Sequence, residues 1–163
     1  MPISIEERRA LDQQMVEAAF VCDLKRVRTL LARGANPNAR DSEGRTPLFS
    51  AVLGGSVGLL GLLLETKADV IARDERGATA LHIAAEEVLP EAATLLIGRG
   101  ADVNAQDEEG NTPLSRAIFF ARGRYDVVHL LLTAGAKDDL PNNAGESPRQ
   151  LSERLGEAIF TTN

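Results

Sequence analysis

The sequence predicts an all-α array of stacked helix pairs. Two blocks of sequence, each recurring at the same interval, carry that prediction, together with apolar residues at helical spacing between glycine breaks. The first block reads Asp41-Ser-Glu-Gly-Arg-Thr-Pro-Leu, Asp74-Glu-Arg-Gly-Ala-Thr-Ala-Leu and Asp107-Glu-Glu-Gly-Asn-Thr-Pro-Leu, with a weaker copy at Asn142-Asn-Ala-Gly-Glu-Ser-Pro-Arg. The second reads Leu30-Leu-Ala-Arg-Gly-Ala, Leu63-Leu-Glu-Thr-Lys-Ala, Leu96-Ile-Gly-Arg-Gly-Ala and Leu131-Leu-Thr-Ala-Gly-Ala. The copies of the first block are offset by 33, 33 and 35 residues. A period of that length marks a repeat architecture, in which one small unit buries its apolar face only against its neighbours.

Each element follows from local chemistry. Ser4-Ile-Glu-Glu7 is a capping box that opens the first helix. In the Asp-x-x-Gly block, Asp bonds its own backbone and Gly supplies a positive φ. Thr then caps a short helix of seven or eight residues, with Pro in its first turn where a missing N–H costs nothing. In the first full unit that helix turns Leu48, Ala51 and Val52 inward. Gly54-Gly55 breaks the chain, and a second helix carries Val57, Leu60, Leu63 and Leu64. Gly34, Gly100 and Gly135 suit the left-handed residue that ends such a helix. Lys67 stands at the matching position of one unit, where a left-handed backbone would cost about 1 kcal/mol. Gly58 and Gly61 fall on the outward side of the second helix, each at about 1 kcal/mol against Ala. Either this unit is the softest of the array, or something packs closely on that helix.

Thr46-Pro-Leu, Thr79-Ala-Leu-His82, Thr112-Pro-Leu, Gly100-Ala-Asp-Val-Asn-Ala and the Leu-Leu pairs make the chain resemble the ankyrin repeat family over nearly its whole length. The resemblance implies an all-α repeat solenoid of helix-turn-helix units with short β-hairpin loops projecting as fingers from one edge. Residues 1–163 are read as a single domain: an N-terminal capping unit (4–40), full repeats at 41–73, 74–106 and 107–141, and a truncated C-terminal cap (142–163). The chain departs from the family pattern at several places. The histidine expected after Thr-Pro-Leu survives only at His82, with Phe49 and Ser115 in its place elsewhere; Ala80 replaces Pro; Val88 and Cys22 stand where a loop glycine is usual.

Composition narrows the function. Of 163 residues, 44% are apolar and 26% charged, enough for a packed core, and aromatics are only 4%, so that core is mostly Leu, Ala, Val and Ile. A net charge of −6 argues against nucleic acid and anionic membrane as partners. One cysteine excludes an internal disulfide and multi-thiolate zinc sites, and it suits a reducing, cytoplasmic location. The N-terminus lacks an apolar signal core, and the longest apolar stretch, 51–64, is too short and glycine-broken to span a membrane. His82 is expected to be structural, bonding the Thr79 region and a neighbouring carbonyl, as the resemblance implies. His129 reads as a solvated residue and Cys22 as a small filler with no recognisable base beside it. No phosphate-binding glycine motif occurs, and no cofactor or metal is expected. The expectation is a non-enzymatic protein; a small-molecule enzyme would need His82 or Cys22 in a carboxylate-lined pocket.

Proteins of this family bind through finger tips and inner-helix ends. The period places the tips at Ser42, Glu43 and Arg45, at Glu75, Arg76 and Ala78, and at Glu108, Glu109 and Asn111. It places the helix ends at Phe20-Val21, Leu53-Gly54, Glu86-Glu87 and Phe119-Phe120. Phe20, Leu53 and Phe119 are equivalent, so they read either as one apolar groove or, for the Phe119-Phe120 pair, as packing beneath the next loop. Glu75, Glu86, Glu87, Asp107, Glu108 and Glu109 form either a solvated face or a surface that steers in a basic partner. The two extra residues of the third repeat fall near 121–125, where Arg122, Arg124 and Tyr125 read as a tolerated insertion or a contact loop. The function expected is binding of another protein by a chain that is monomeric when unbound. The alternative expectation is an inhibitor or immunity protein that neutralises a basic bacterial toxin.

Overall fold

A computed structural model describes residues 4–160. Its helices, in chain order, are α1 (Ile5–Phe20), α2 (Leu24–Ala32), α3 (Pro47–Leu53), α4 (Val57–Leu64), α5 (Ala80–Glu86), α6 (Pro90–Gly98), α7 (Pro113–Phe120), α8 (Asp126–Thr133) and α9 (Pro148–Leu155). Odd-numbered helices contact one another in sequence, from α1 to α9, and form an inner layer; α2, α4, α6 and α8 do the same in an outer layer. Each inner helix through α7 also packs on the outer helix that follows it. This is the all-α solenoid that the period predicts. Met1–Ile3, and Thr161–Asn163 at the end of the predicted C-terminal cap, lie outside the described residues.

The core repeats with the sequence. Leu48, Leu81 and Leu114 are fully buried at the start of α3, α5 and α7, and Leu63, Leu96 and Leu131 near the end of α4, α6 and α8. Between them sit small residues, Ala51, Ala84, Ala85 and Ala117, which let the inner helices approach closely. In the fourth copy Arg149 takes the place of that first leucine and lies exposed, its guanidinium 5.0 Å from the Phe160 ring and paired with Asp138. A charged residue there ends the stack against water.

The fingers are built by one repeated device. One carboxylate or amide oxygen of Asp41, Asp74, Asp107 and Asn142 accepts from the backbone N–H two and four residues on, at 2.8–3.0 Å. Glycine follows three residues after each, at φ between 71° and 80°. Successive fingers then bond to each other: the N–H groups of Glu75, Glu108 and Asn143 donate to the carbonyls of Glu43, Arg76 and Glu109 at 2.9–3.0 Å. Arg40, Arg73 and Gln106 add a second tie, each donating both to its own finger's glycine carbonyl and to a carbonyl of the next unit. The hairpin loops are short: among the described residues one antiparallel bridge forms, Arg73 with Thr79, and the fingers are otherwise tight turns.

Helix ends differ between units in ways that matter. Ser4 and Glu7 form the expected capping box. Gly34, Gly100 and Gly135 are left-handed, and the N–H groups of Ala35, Ala101 and Ala136 bond back to Leu30, Leu96 and Leu131. Lys67 is not left-handed, so the strain expected there is absent, and so is the matching bond from Ala68. Strain falls instead on Cys22 and Val88, both at φ 53°, in the tight turns between paired helices. Cys22 is held by the next unit: its Sγ lies 3.9 Å from the Ser50 carbonyl, and a Cβ on Gly54 would come within 2.3 Å of it.

Candidate partner-binding site

α7 ends where its sequence allows. Arg122 and Gly123 are both left-handed, at φ 46° and 82°, and the two extra residues of this repeat are taken up there. Phe119 is left 55% exposed at the mouth of the inner layer. Phe120 is half-buried beside it, the rings meeting edge to face with centroids 5.0 Å apart.

One turn earlier on the same helix, Arg116 organises the charges. Its Nη1 donates to Glu86 Oε2 at 2.6 Å, and its Nη2 and Nε reach Asp107 Oδ2 at 2.8 and 3.2 Å. Asp107 is buried and its other oxygen is occupied by the finger turn. The expected six-carboxylate face is therefore smaller than it reads: Asp107 and Glu86 are neutralised from within. Glu75, Glu87 and Glu108 have no ion-pair partner among the described residues, and the Glu109 carboxylate accepts from Asn111 Nδ2, at 3.0 Å. Across from α7, α9 supplies buried Leu151 and Arg154, whose guanidinium grips Glu146 at 2.5 and 3.0 Å. That bond holds Glu146 below the usual carboxylate range.

Together these residues enclose a groove of about 590 Å³ between the fingers and α5, α7 and α9. Of the residues expected to bind, Arg76, Glu86, Glu108, Glu109, Asn111, Phe119 and Phe120 line it. Phe20 and Leu53 are exposed at the ends of α1 and α3, yet lie outside it, so the groove is not the single channel expected along all inner-helix ends. Arg45 is bound to its own finger through Asp41 and Glu43. Glu75 and Glu87 are exposed outside the groove. Arg122 and Arg124 are exposed on the inserted loop. Tyr125 turns to the C-terminal cap, donating its hydroxyl to Glu157, which raises its pKa.

Arg116, Leu151 and Arg154 were not anticipated. Arg116 is legible only as a break in a column: Ile83 and Ser50 stand one and two periods earlier. His82 sits outside the groove, fully buried beneath it. The Thr79 N–H donates to its Nδ1 at 3.0 Å, and its Nε2 donates to the Asn111 carbonyl at 3.0 Å. Burial pushes its pKa down to about 4. Among the described residues, no cluster of three or more His, Cys, Asp or Glu is arranged to hold a metal, and no helix is long and apolar enough to cross a membrane.

Comparison with known proteins agrees with this geometry. Family models of ankyrin repeats match residues 15–107, as three copies, and 90–146, as part of many copies. The chain is also 42% identical over 59 residues to a mouse (Mus musculus) 2-5A-dependent ribonuclease, a match that covers 36% of this chain. It spans only 8% of that protein's length.

Proposed function

Because this chain belongs to the ankyrin repeat family, we propose that it is a non-enzymatic interaction module that seats another protein in the groove between its fingers and inner helices. Ankyrin repeats are in general protein–protein interaction modules, and the groove supplies the particular surface. The observation that carries the reading is Phe119, an aromatic residue more than half exposed in a chain that hardly uses aromatics, beside half-buried Phe120. Aromatic anchors in concave, desolvating surroundings dominate binding energy at interfaces. The working unit is the whole array, a single domain with its capping unit at 4–40, full repeats at 41–73, 74–106 and 107–141 and the cap from 142.

A finer reading rests on charge. The carboxylates of Glu108 and Glu87, with no ion pair among the described residues, and the net charge of −6 favour a basic partner, and an inhibitor or immunity protein that covers a basic bacterial toxin fits that chemistry. The single thiol fits a cytoplasmic setting.

The test is affinity capture with wild type, Phe119→Glu and Phe20→Glu as baits, each checked for fold by circular dichroism. A protein retained by wild type and Phe20→Glu but lost by Phe119→Glu supports the groove. Equal retention by all three baits moves the site elsewhere. Rescue of cells from that protein's own toxicity separates inhibitor from scaffold.

A further inference from the structure

The groove's shape and its charges together specify what side chain enters it. Finger residues, α7 and α9 all line it, and its apolar lining is the Phe119–Phe120 ring pair together with Leu151. A trough of about 590 Å³ has room for a protruding side chain and its neighbours. Charge is distributed along the array to match. Residues 4–40 hold five carboxylates against seven Lys and Arg, whereas residues 74–163 hold fifteen against eight. Five carboxylates line the trough (Glu86, Asp107, Glu108, Glu109 and Glu146) against three cations: Arg116 is locked onto Glu86 and Asp107, Arg154 onto Glu146, and Arg76 is exposed on its finger with no ion pair among the described residues. Glu108 and Glu109 are exposed on the finger tip above, with no ion pair among the described residues.

We propose that this groove takes an extended segment of a partner protein bearing an arginine next to an aliphatic or aromatic residue. The inference rests on the groove being the binding site and goes further in naming the ligand chemistry. The arginine's fork engages Glu108 or Glu109 and its plane stacks on the free face of Phe119, while its neighbour packs on Phe120 and Leu151. Arginine suits the site better than lysine because a planar guanidinium both forks onto a carboxylate and stacks on an aromatic ring. Arg116 serves as a positioning residue, fixing Glu86 so that the back wall does not collapse toward the ligand.

The experiment selects peptides from a randomised twelve-residue display library on wild-type protein, then measures the enriched peptides by fluorescence anisotropy. Three folded variants, Phe119→Ala, Glu108→Gln/Glu109→Gln and Phe20→Ala, are measured alongside. The expected result is enrichment of arginine beside an apolar residue, about tenfold weaker binding to the first two variants, and none lost to the third. Replacing that arginine by lysine should weaken binding, and so should raising salt from about 50 to about 300 mM. Peptides that lose affinity with Phe119→Ala but carry no arginine overturn this inference and leave the groove reading standing. Peptides indifferent to Phe119→Ala overturn both. A library that yields no binder overturns the inference that the groove takes a linear segment.

Discussion

Thr46, Thr79 and Thr112 occupy one position in three units and meet three different neighbours. Thr79 is served by His82, and Thr112 Oγ1 accepts from the Ser115 N–H at 3.2 Å. Thr46 faces buried Phe49, whose side chain has no polar atom and whose N–H donates to the Thr46 carbonyl at 2.9 Å, so the Thr46 hydroxyl is buried without a partner among the described residues. An unpaired buried hydroxyl costs about 1–3 kcal/mol. Thr46→Val should therefore stabilise the protein by about 1 kcal/mol in urea denaturation, whereas Thr79→Val should destabilise it by a similar amount. His82 supplies a pH dependence as well. Its folded pKa of about 4 lies below the unfolded value of about 6.5, so the unfolded chain takes up a proton that the native state refuses. Stability is then complete above pH 6.5 and falls by about 3 kcal/mol as pH drops toward 4. His82→Ser, which imports the solution used at Ser115, should be less stable at pH 7 and lose most of that slope. A slope unchanged in the variant would show that other groups carry the acid limb. The sequence displays Phe49, His82 and Ser115 in one column, but the orphaned hydroxyl depends on what surrounds it, and only the packed structure shows that.

At the scale of elements, helices and turns were legible because their signals are local. The Asp-x-x-Gly turns, the capping box and the breaks at Gly34, Gly100 and Gly135 all act within a few residues. The ties made by Arg40, Arg73 and Gln106 were not legible, since their target is backbone a full period away. Lys67 misled for a related reason: the rule for a left-handed stop assumes the closing bond forms, and here the chain forgoes it. α4 also carries Gly58 and Gly61, and no close intramolecular contact accounts for them. A Cβ at Gly58 would meet only Leu24 Cδ2 at 3.9 Å, and one at Gly61 nothing within 4 Å. Gly58→Ala and Gly61→Ala should each raise stability by about 0.5–1 kcal/mol, read as a higher midpoint of thermal unfolding. Gly110→Ala should do the opposite. Its backbone is left-handed and a Cβ would come within 2.7 Å of the Asn143 nitrogen. A stabilised Gly110 variant would contradict the finger geometry described above.

Across the whole molecule, weaknesses gather in the first full repeat: the unpaired Thr46 hydroxyl, the absent closing bond at Ala68 and the two glycines of α4. In a solenoid each unit leans only on its neighbours, so hydrogen exchange should show α4 opening before α6. Equal protection of the two helices would mean that the array melts as one body. The candidate site lies at the far end, over α5, α7 and α9, where the arginine pairs and finger bonds are complete. The groove was therefore only half legible: the period located Phe119 and the finger glutamates, while Leu151 and Arg154 of α9 lie in the truncated fourth copy, beyond the block whose likeness to the other units ends at Arg149. The ladder of finger bonds has a mechanical consequence. All three rungs run along the stack, from the N–H of one unit to the carbonyl of the one before. Tension applied between the termini loads those rungs in series, so the chain should yield as a spring of discrete coils rather than as one rigid rod. Each released coil of 33 residues adds about 100 Å of extended length, a sawtooth spacing that single-molecule pulling can count.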